Sequence, residues 1–162
     1  MFLIVFFNKD NLNVVFSKEL SDFKINEDML LTDPSDLSSN QKKEIAKFFI
    51  SQQLSLFDNA NISNEKVKKI DGYFSSEYLS RGQDLAEIKI DNARYKNLKF
   101  YFSDEKISSK DNIYTYESFV NVYGQDVSKK NERTSTKLFY TIEIGVENHH
   151  LVILNIKENT IK

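Results

Sequence analysis

The spacing of apolar residues along the chain changes near residue 84. Beyond that point apolar and polar residues alternate, which is typical of strands with one buried face. The alternation predicts strands at Ala86–Ile90, Leu98–Phe102, Tyr114–Val122 and Leu138–Val146, and a short fully apolar strand at Leu151–Leu154. A polar loop at Gln125–Thr136 and a tight turn at Glu147–Asn148 would connect the last three strands in an antiparallel sheet.

Helical spacing dominates the residues that precede this alternation. Ser38 and Gln41 have the form of a capping box, which marks the start of a helix. The apolar residues that follow recur at helical intervals and predict a helix over about residues 39 to 57, with one apolar face made of Ile45, Phe48, Phe49, Leu56 and Phe57. Ser63 is a candidate cap for a second helix, and a third helical turn is predicted at Ser75–Leu79. Helices followed by antiparallel strands define an α+β domain, with the helices packed on a curved sheet.

The first 35 residues are predicted to form a separate part of the chain. Two β-branched and aromatic runs, Phe2–Phe7 and Leu12–Phe16, are separated by four polar residues, which favours a β-hairpin. Pro34, flanked by Asp and Ser, is the strongest break in the chain. We therefore expect residues 1–35 to form a β-hairpin and a crossing segment, and residues 36–162 to form the main α+β domain.

The apolar N-terminus is too short to cross a membrane. Met1–Phe7 contains seven apolar residues, whereas a spanning helix needs about 20. No basic region precedes this run and no small-residue cleavage site follows it, so it does not have the form of a secretory signal. A membrane anchor would therefore lie upstream of Met1.

Composition argues against several classes of function. The chain has no Cys, which excludes thiol catalysis and thiolate zinc sites. Its formal net charge of −2 shows no basic excess, so direct nucleic-acid binding is not predicted. The four glycines are isolated and form no phosphate loop or dinucleotide fingerprint, so no cofactor is predicted.

Few residues suggest chemistry of their own. His149 and His150 are adjacent, and neighbours in a strand point to opposite faces, so the pair does not converge on one metal ion. Tyr73, Phe74 and Tyr78 form an aromatic stripe that either lines a pocket together with Asp84 or packs a helix on the sheet. No catalytic group is predicted, so the sequence favours a binding protein over an enzyme.

The order of elements resembles the nuclear-transport-factor-two-like (cystatin-like) fold. Within that fold the chain is similar to the TcpC-type transfer proteins of Gram-positive conjugative elements, relatives of the inner-membrane scaffold subunit of type IV secretion systems. The similarity rests on the apolar spacing of Lys47–Phe57, of Tyr73–Gly82, and of the closing pair Lys137–Ile144 and His150–Ile156. In the same comparison, residues 2–16 correspond to the terminal hairpin of a preceding domain.

The resemblance implies a non-catalytic scaffold domain of a conjugative DNA-transfer channel. Its implied partners are other channel subunits and further copies of the same chain. Its implied location is the extracytoplasmic side of the cell membrane, held there by an upstream anchor. The alternative is a cystatin-like extracytoplasmic lipoprotein domain that binds a small ligand or a protein.

Overall fold

A computed structural model of the chain describes residues 9–58, 62–81 and 94–161. The described helices are α1 Lys9–Phe16, α2 Ser39–Leu54, α3 Asn64–Asp71 and α4 Ser76–Ser80. The described strands are β1 Lys18–Glu19, β2 Tyr95–Lys110, β3 Ile113–Asp126, β4 Glu132–Glu147 and β5 His150–Thr160. Short 3-10 helices lie at Leu20–Asp22, Glu27–Leu31, Pro34–Asp36, Ser55–Phe57 and Val127–Lys129.

The strands form one antiparallel sheet in the order β1-β2-β3-β4-β5. Neighbours in this order are also neighbours in sequence, so hairpins connect all the long strands. Tyr114, Tyr116, Tyr140, Ile142 and Ile144 point inward and are fully buried. The predicted α+β architecture, with helices packed on one face of an antiparallel sheet, is confirmed.

Helix α2 fills the inner face of this sheet. The Ser38 backbone N–H donates to Gln41 Oε1 at 2.9 Å, and the Gln41 N–H donates to Ser38 Oγ at 3.3 Å, so the predicted capping box is present. Ile45, Phe49 and Ile50 are at most 1% exposed and face the strands. Burying a side chain of this size contributes about 1.5–3 kcal/mol, which makes α2 the main hydrophobic partner of the sheet.

Two elements differ from the sequence predictions. Leu12–Phe16, expected as the second strand of a hairpin, lies within helix α1, and Phe2–Phe7 lies outside the described residues. Four apolar residues in a run of five do not distinguish strand from helix. The segment Gln125–Thr136 was expected to be a long loop, but β4 already begins at Glu132. The pairing of β3 with β4 extends into this polar stretch, because backbone hydrogen bonds do not require apolar side chains.

The connection between β4 and β5 is a two-residue turn of Asn148 and His149. Both residues have positive φ angles, 51° and 64°, as a tight hairpin of this hand requires. The turn is therefore shifted by one residue from the predicted Glu147–Asn148. The predicted strand at Ala86–Ile90 lies outside the described residues.

The outer edge of β5 is paired at Ile153. The Ser75 N–H donates to the Ile153 carbonyl at 2.9 Å, and the Ile153 N–H donates to the Tyr73 carbonyl at 2.7 Å. These bonds fix the segment between α3 and α4 against the sheet. The end of β4 adds a second tie, because Glu147 accepts hydrogen bonds from the Ser76 hydroxyl and from the Ser76 N–H, the latter at 2.9 Å.

The hydrogen bonds from Ser76 to the Glu147 carboxylate predict a pH-dependent contribution to stability. The Ser76 hydroxyl and backbone N–H hold the pKa of Glu147 below its usual value. The contribution is therefore present above the pKa of the unfolded chain, about 4.3, and is lost as the pH falls through the lower folded-state pKa. We expect Glu147→Gln to lower the thermal midpoint at neutral pH, and the gap to wild type to narrow below about pH 4.

Circular dichroism melts across this pH range would measure the effect. Glu132→Gln, at the exposed start of β4, is the matched control and should not change the midpoint. A gap between Glu147→Gln and wild type that stays constant with pH would contradict the assignment.

Candidate functional site

Three of the four residues predicted as pocket lining, Tyr73, Phe74 and Tyr78, lie within the described residues. Phe74 and Tyr78 are each 4% exposed and stack on each other with ring centroids 4.9 Å apart. Tyr73 contacts the rings of Phe48 and Phe49, each at 5.4 Å, and borders a shallow depression formed with the 3-10 segment Glu27–Leu31. Asp84 lies outside the described residues.

A different pocket opens between the end of α2 and the inner face of the sheet. Its volume is about 180 Å³. Its floor consists of inward-facing residues from opposed positions on neighbouring strands: Val122 opposite Thr136, Gly124 opposite Thr134, and Leu138 opposite Thr160. Leu54 and Phe57 form its roof.

Gly124 allows this pocket to exist. A side chain there would bring a Cβ to 2.9 Å from Leu98 Cδ2, a separation that requires one of the two groups to move. Leu98 comes this close because β2 has a register shift between Lys96 and Lys99, opposite Gly124. The strand irregularity and the glycine together shape the wall of the pocket.

One carboxylate stands at the pocket rim. Glu158 is cross-strand from Tyr140, on the inner face of the sheet, and the Tyr140 hydroxyl donates a hydrogen bond to Glu158 Oε2. Tyr140 is fully buried, and burial together with the nearby carboxylate raises its pKa well above the ordinary value. The phenol therefore stays protonated and acts as a fixed donor that orients Glu158.

A second carboxylate joins α2 to the sheet. Glu105 Oε1 lies 3.0 Å from Lys47 Nζ, and Glu105 Oε2 accepts a hydrogen bond from the Tyr116 hydroxyl at 3.0 Å. Glu105 reaches inward because β2 bulges between Ser103 and Lys106, where Asp104 has a φ of 55°. This contact is half-buried beside α2 and stabilises the packing of helix on sheet.

The histidine pair lies at the hairpin turn. His149 is a turn residue, and His150 begins β5 with its Nδ1 atom 3.0 Å from the Asn148 carbonyl oxygen. Within residues 9–58, 62–81 and 94–161, no group of three or more His, Asp or Glu side chains is placed to hold a metal ion.

The pocket was not found by sequence reasoning. The apolar run Leu151–Leu154 was predicted to be the closing strand, but β5 continues to Thr160. The register between β4 and β5 shifts at Leu154, so Ile156, Glu158 and Thr160 lie on the inner face together with Leu151 and Ile153. Uninterrupted alternation from Leu151 would have placed Glu158 on the outer face, which is why the sequence pattern does not reveal it.

Comparison with known proteins gives a structural likeness and no sequence family. No protein-family model matches the chain, and no curated protein matches it in sequence. The fold is similar to the crystal structure of CagV, a VirB8 homologue of the type IV secretion system of Helicobacter pylori strain 26695. The two structures align with a TM-score of 0.50 at 12% identity, covering 68% of this chain and 93% of CagV. The chain thus has the nuclear-transport-factor-two-like fold found in VirB8 homologues.

Among the described helices, each is too short or too polar to cross a bilayer.

Proposed function

We propose that this chain is a non-catalytic assembly domain of a type IV secretion channel that works through protein–protein contacts. The observation that carries the proposal is the fold likeness to CagV, because it extends over nearly the whole of that domain and not over a shared sub-motif. The resemblance of the sequence to TcpC-type transfer proteins narrows the proposal to a channel for conjugative DNA transfer. In this role the domain stands on the extracytoplasmic side of the membrane and docks other channel subunits.

An exposed apolar helix supports a docking role. Leu12, Val14 and Phe16 of α1 are 44%, 41% and 62% exposed. Three large apolar side chains within five residues form a surface of the kind that marks protein contacts. Phe16 also borders a depression with Phe23 and Phe102, so the exposed helix continues into an aromatic groove.

The role is tested in the bacterium that encodes the chain. Deleting the gene should abolish transfer of its mobile element, and the unaltered gene supplied in trans should restore transfer. Normal mating frequency in the deletion strain would overturn the proposal.

A substitution in α1 tests the docking surface. An aromatic anchor at an interface contributes about 2 kcal/mol, so Phe16→Glu should weaken subunit capture by about thirtyfold. The measurement is site-specific cross-linking to other channel subunits in cells. Val146→Glu, on a side chain that is 44% exposed at the far end of β4, is the matched control and should cross-link like wild type. Equal cross-linking by both variants would exclude α1 as the docking element.

A further inference from the structure

The pocket beside Glu158 has the size of a small-molecule site. A cavity of about 150 Å³ in another protein is large enough to hold one benzene molecule. The volume here, about 180 Å³, is slightly larger. A single ring or a chain of similar bulk would therefore fill it, and its walls suit such a group because they include the apolar side chains of Leu54, Phe57, Leu98, Val122 and Leu138.

The charge at the rim determines which kind of apolar molecule fits. Glu158 is the one charged side chain among the described residues that line the pocket. The remaining polar groups are the hydroxyls of Thr134, Thr136 and Thr160 and the phenol of Tyr95, which are neutral. An apolar body with a cationic end would place its charge near the carboxylate, whereas an anionic end would be repelled.

A hydrogen bond from the core fixes the position of the Glu158 carboxylate at the pocket rim. The buried Tyr140 hydroxyl donates a hydrogen bond to Glu158 Oε2, which limits the rotation of the carboxylate. Glu158 is thereby held on the inner face of the sheet, opposite Tyr140. Tyr140 itself is 0% exposed, so its ring position is fixed by the core and not by solvent-facing contacts. A carboxylate fixed in this way loses less conformational entropy when a ligand binds than a freely rotating one.

We propose that the pocket between α2 and strands β3–β5 binds a small organic ammonium ion, with the apolar body between Leu54 and Leu138 and the charge at Glu158. The ligand class is a primary amine carrying one ring or a chain of comparable volume. The proposal does not rest on the assembly role proposed above, because its observations are the pocket lining and the hydrogen bond between Tyr140 and Glu158.

The test compares three probes of one shape on the full chain. Benzylammonium carries the cation, benzyl alcohol is neutral and benzoate is anionic. Chemical-shift titration followed by NMR would give each dissociation constant, which for ligands of this size is about millimolar. We expect benzylammonium to bind about threefold to fivefold more tightly than benzyl alcohol, as for an ion pair at a solvent-accessible rim, and benzoate to bind most weakly.

Two variants assign the effect to the pocket. Glu158→Gln should remove the preference for the cation while keeping the binding of benzyl alcohol. Glu143→Gln, on the opposite face of the same sheet, is the control and should keep the preference. Thr136→Trp, at the exposed rim, should block both probes without disturbing the buried core.

Several results would overturn the proposal. These are equal affinity for benzylammonium and benzyl alcohol, tighter binding of benzoate, or a cation preference that survives Glu158→Gln. Absence of saturable binding, or shifts that map away from Leu54, Leu98 and Leu138, would do the same. None of these results would affect the assembly role, which is measured by transfer and cross-linking.

Discussion

Alkaline pH is expected to unfold this domain steeply, beginning at about pH 10. Tyr114, Tyr116 and Tyr140 are each 0% exposed, and burial raises the pKa of all three hydroxyls far above the ordinary value. In the unfolded chain these groups ionise at about pH 10, so the unfolded state there binds fewer protons than the folded state. The contribution of these tyrosines to the free energy of unfolding is therefore constant below about pH 10. Above that pH it falls by about 1.4 kcal/mol per pH unit for each tyrosine.

Urea unfolding at a series of pH values would measure this slope. These three tyrosines together should make the free energy of unfolding fall by about 4 kcal/mol per pH unit above about pH 10. The tyrosinate absorbance of the buried rings should rise together with unfolding. Tyr116→Phe should reduce the slope by about 1.4 kcal/mol per pH unit. Tyr101→Phe, on the outer face of the sheet, is the control and should keep the wild-type slope. Tyrosinate absorbance that develops fully before any unfolding would contradict the burial of these hydroxyls.

Replacing Phe100 by Ala should cost about 3–5 kcal/mol of stability. The Phe100 ring is 1% exposed and meets the Phe23 ring edge-on with a centroid distance of 5.9 Å. It therefore joins the central strands to the segment that precedes α2. Its removal leaves a cavity in the core and removes a packing contact of that segment. The resulting decrease in the free energy of unfolding is a large part of the total for a domain of this size.

The neighbouring residue provides the control for this experiment. Tyr101 is opposite Asn121 on the outer face of the sheet, so Tyr101→Ala removes an aromatic ring of similar size from a half-buried position outside the core. In urea unfolding, the free energy of unfolding should fall strongly for Phe100→Ala and by less than about 1 kcal/mol for Tyr101→Ala. Similar losses for the two variants would show that the two faces of β2 are assigned incorrectly.

The larger elements of the fold followed from local pattern. Ser38 and Gln41 marked the start of α2 because the capping box is a short-range interaction that needs no tertiary context. Tyr114, Tyr116 and Val120 alternated with half-buried residues because β3 has the core on one face only. In both cases the physical cause operates within a few residues, so the sequence contains it.

The remaining features depend on contacts between distant residues. The pocket needs Gly124 on β3, the irregularity of β2 near Leu98, and the far end of β5, three features separated widely along the chain. Helix α1 replaced an expected strand because Leu12–Phe16 is too short for its periodicity to decide between the two. The boundary at residue 35 and the pocket role of Tyr73, Phe74, Tyr78 and Asp84 stay predictions.

The bulge in β2 has a consequence for the length of related chains. Asp104 and Glu105 together lie opposite Ser118, whose hydroxyl donates to the Ser103 carbonyl at 2.9 Å. A chain one residue shorter at this point would restore simple alternation and still direct Phe102 and Ile107 inward. In such a chain the single residue opposite Ser118 would point inward, in the place of Glu105. We therefore expect homologues to differ by a single insertion or deletion here, and the shorter form to keep the contact between α2 and the sheet only where that residue is a carboxylate.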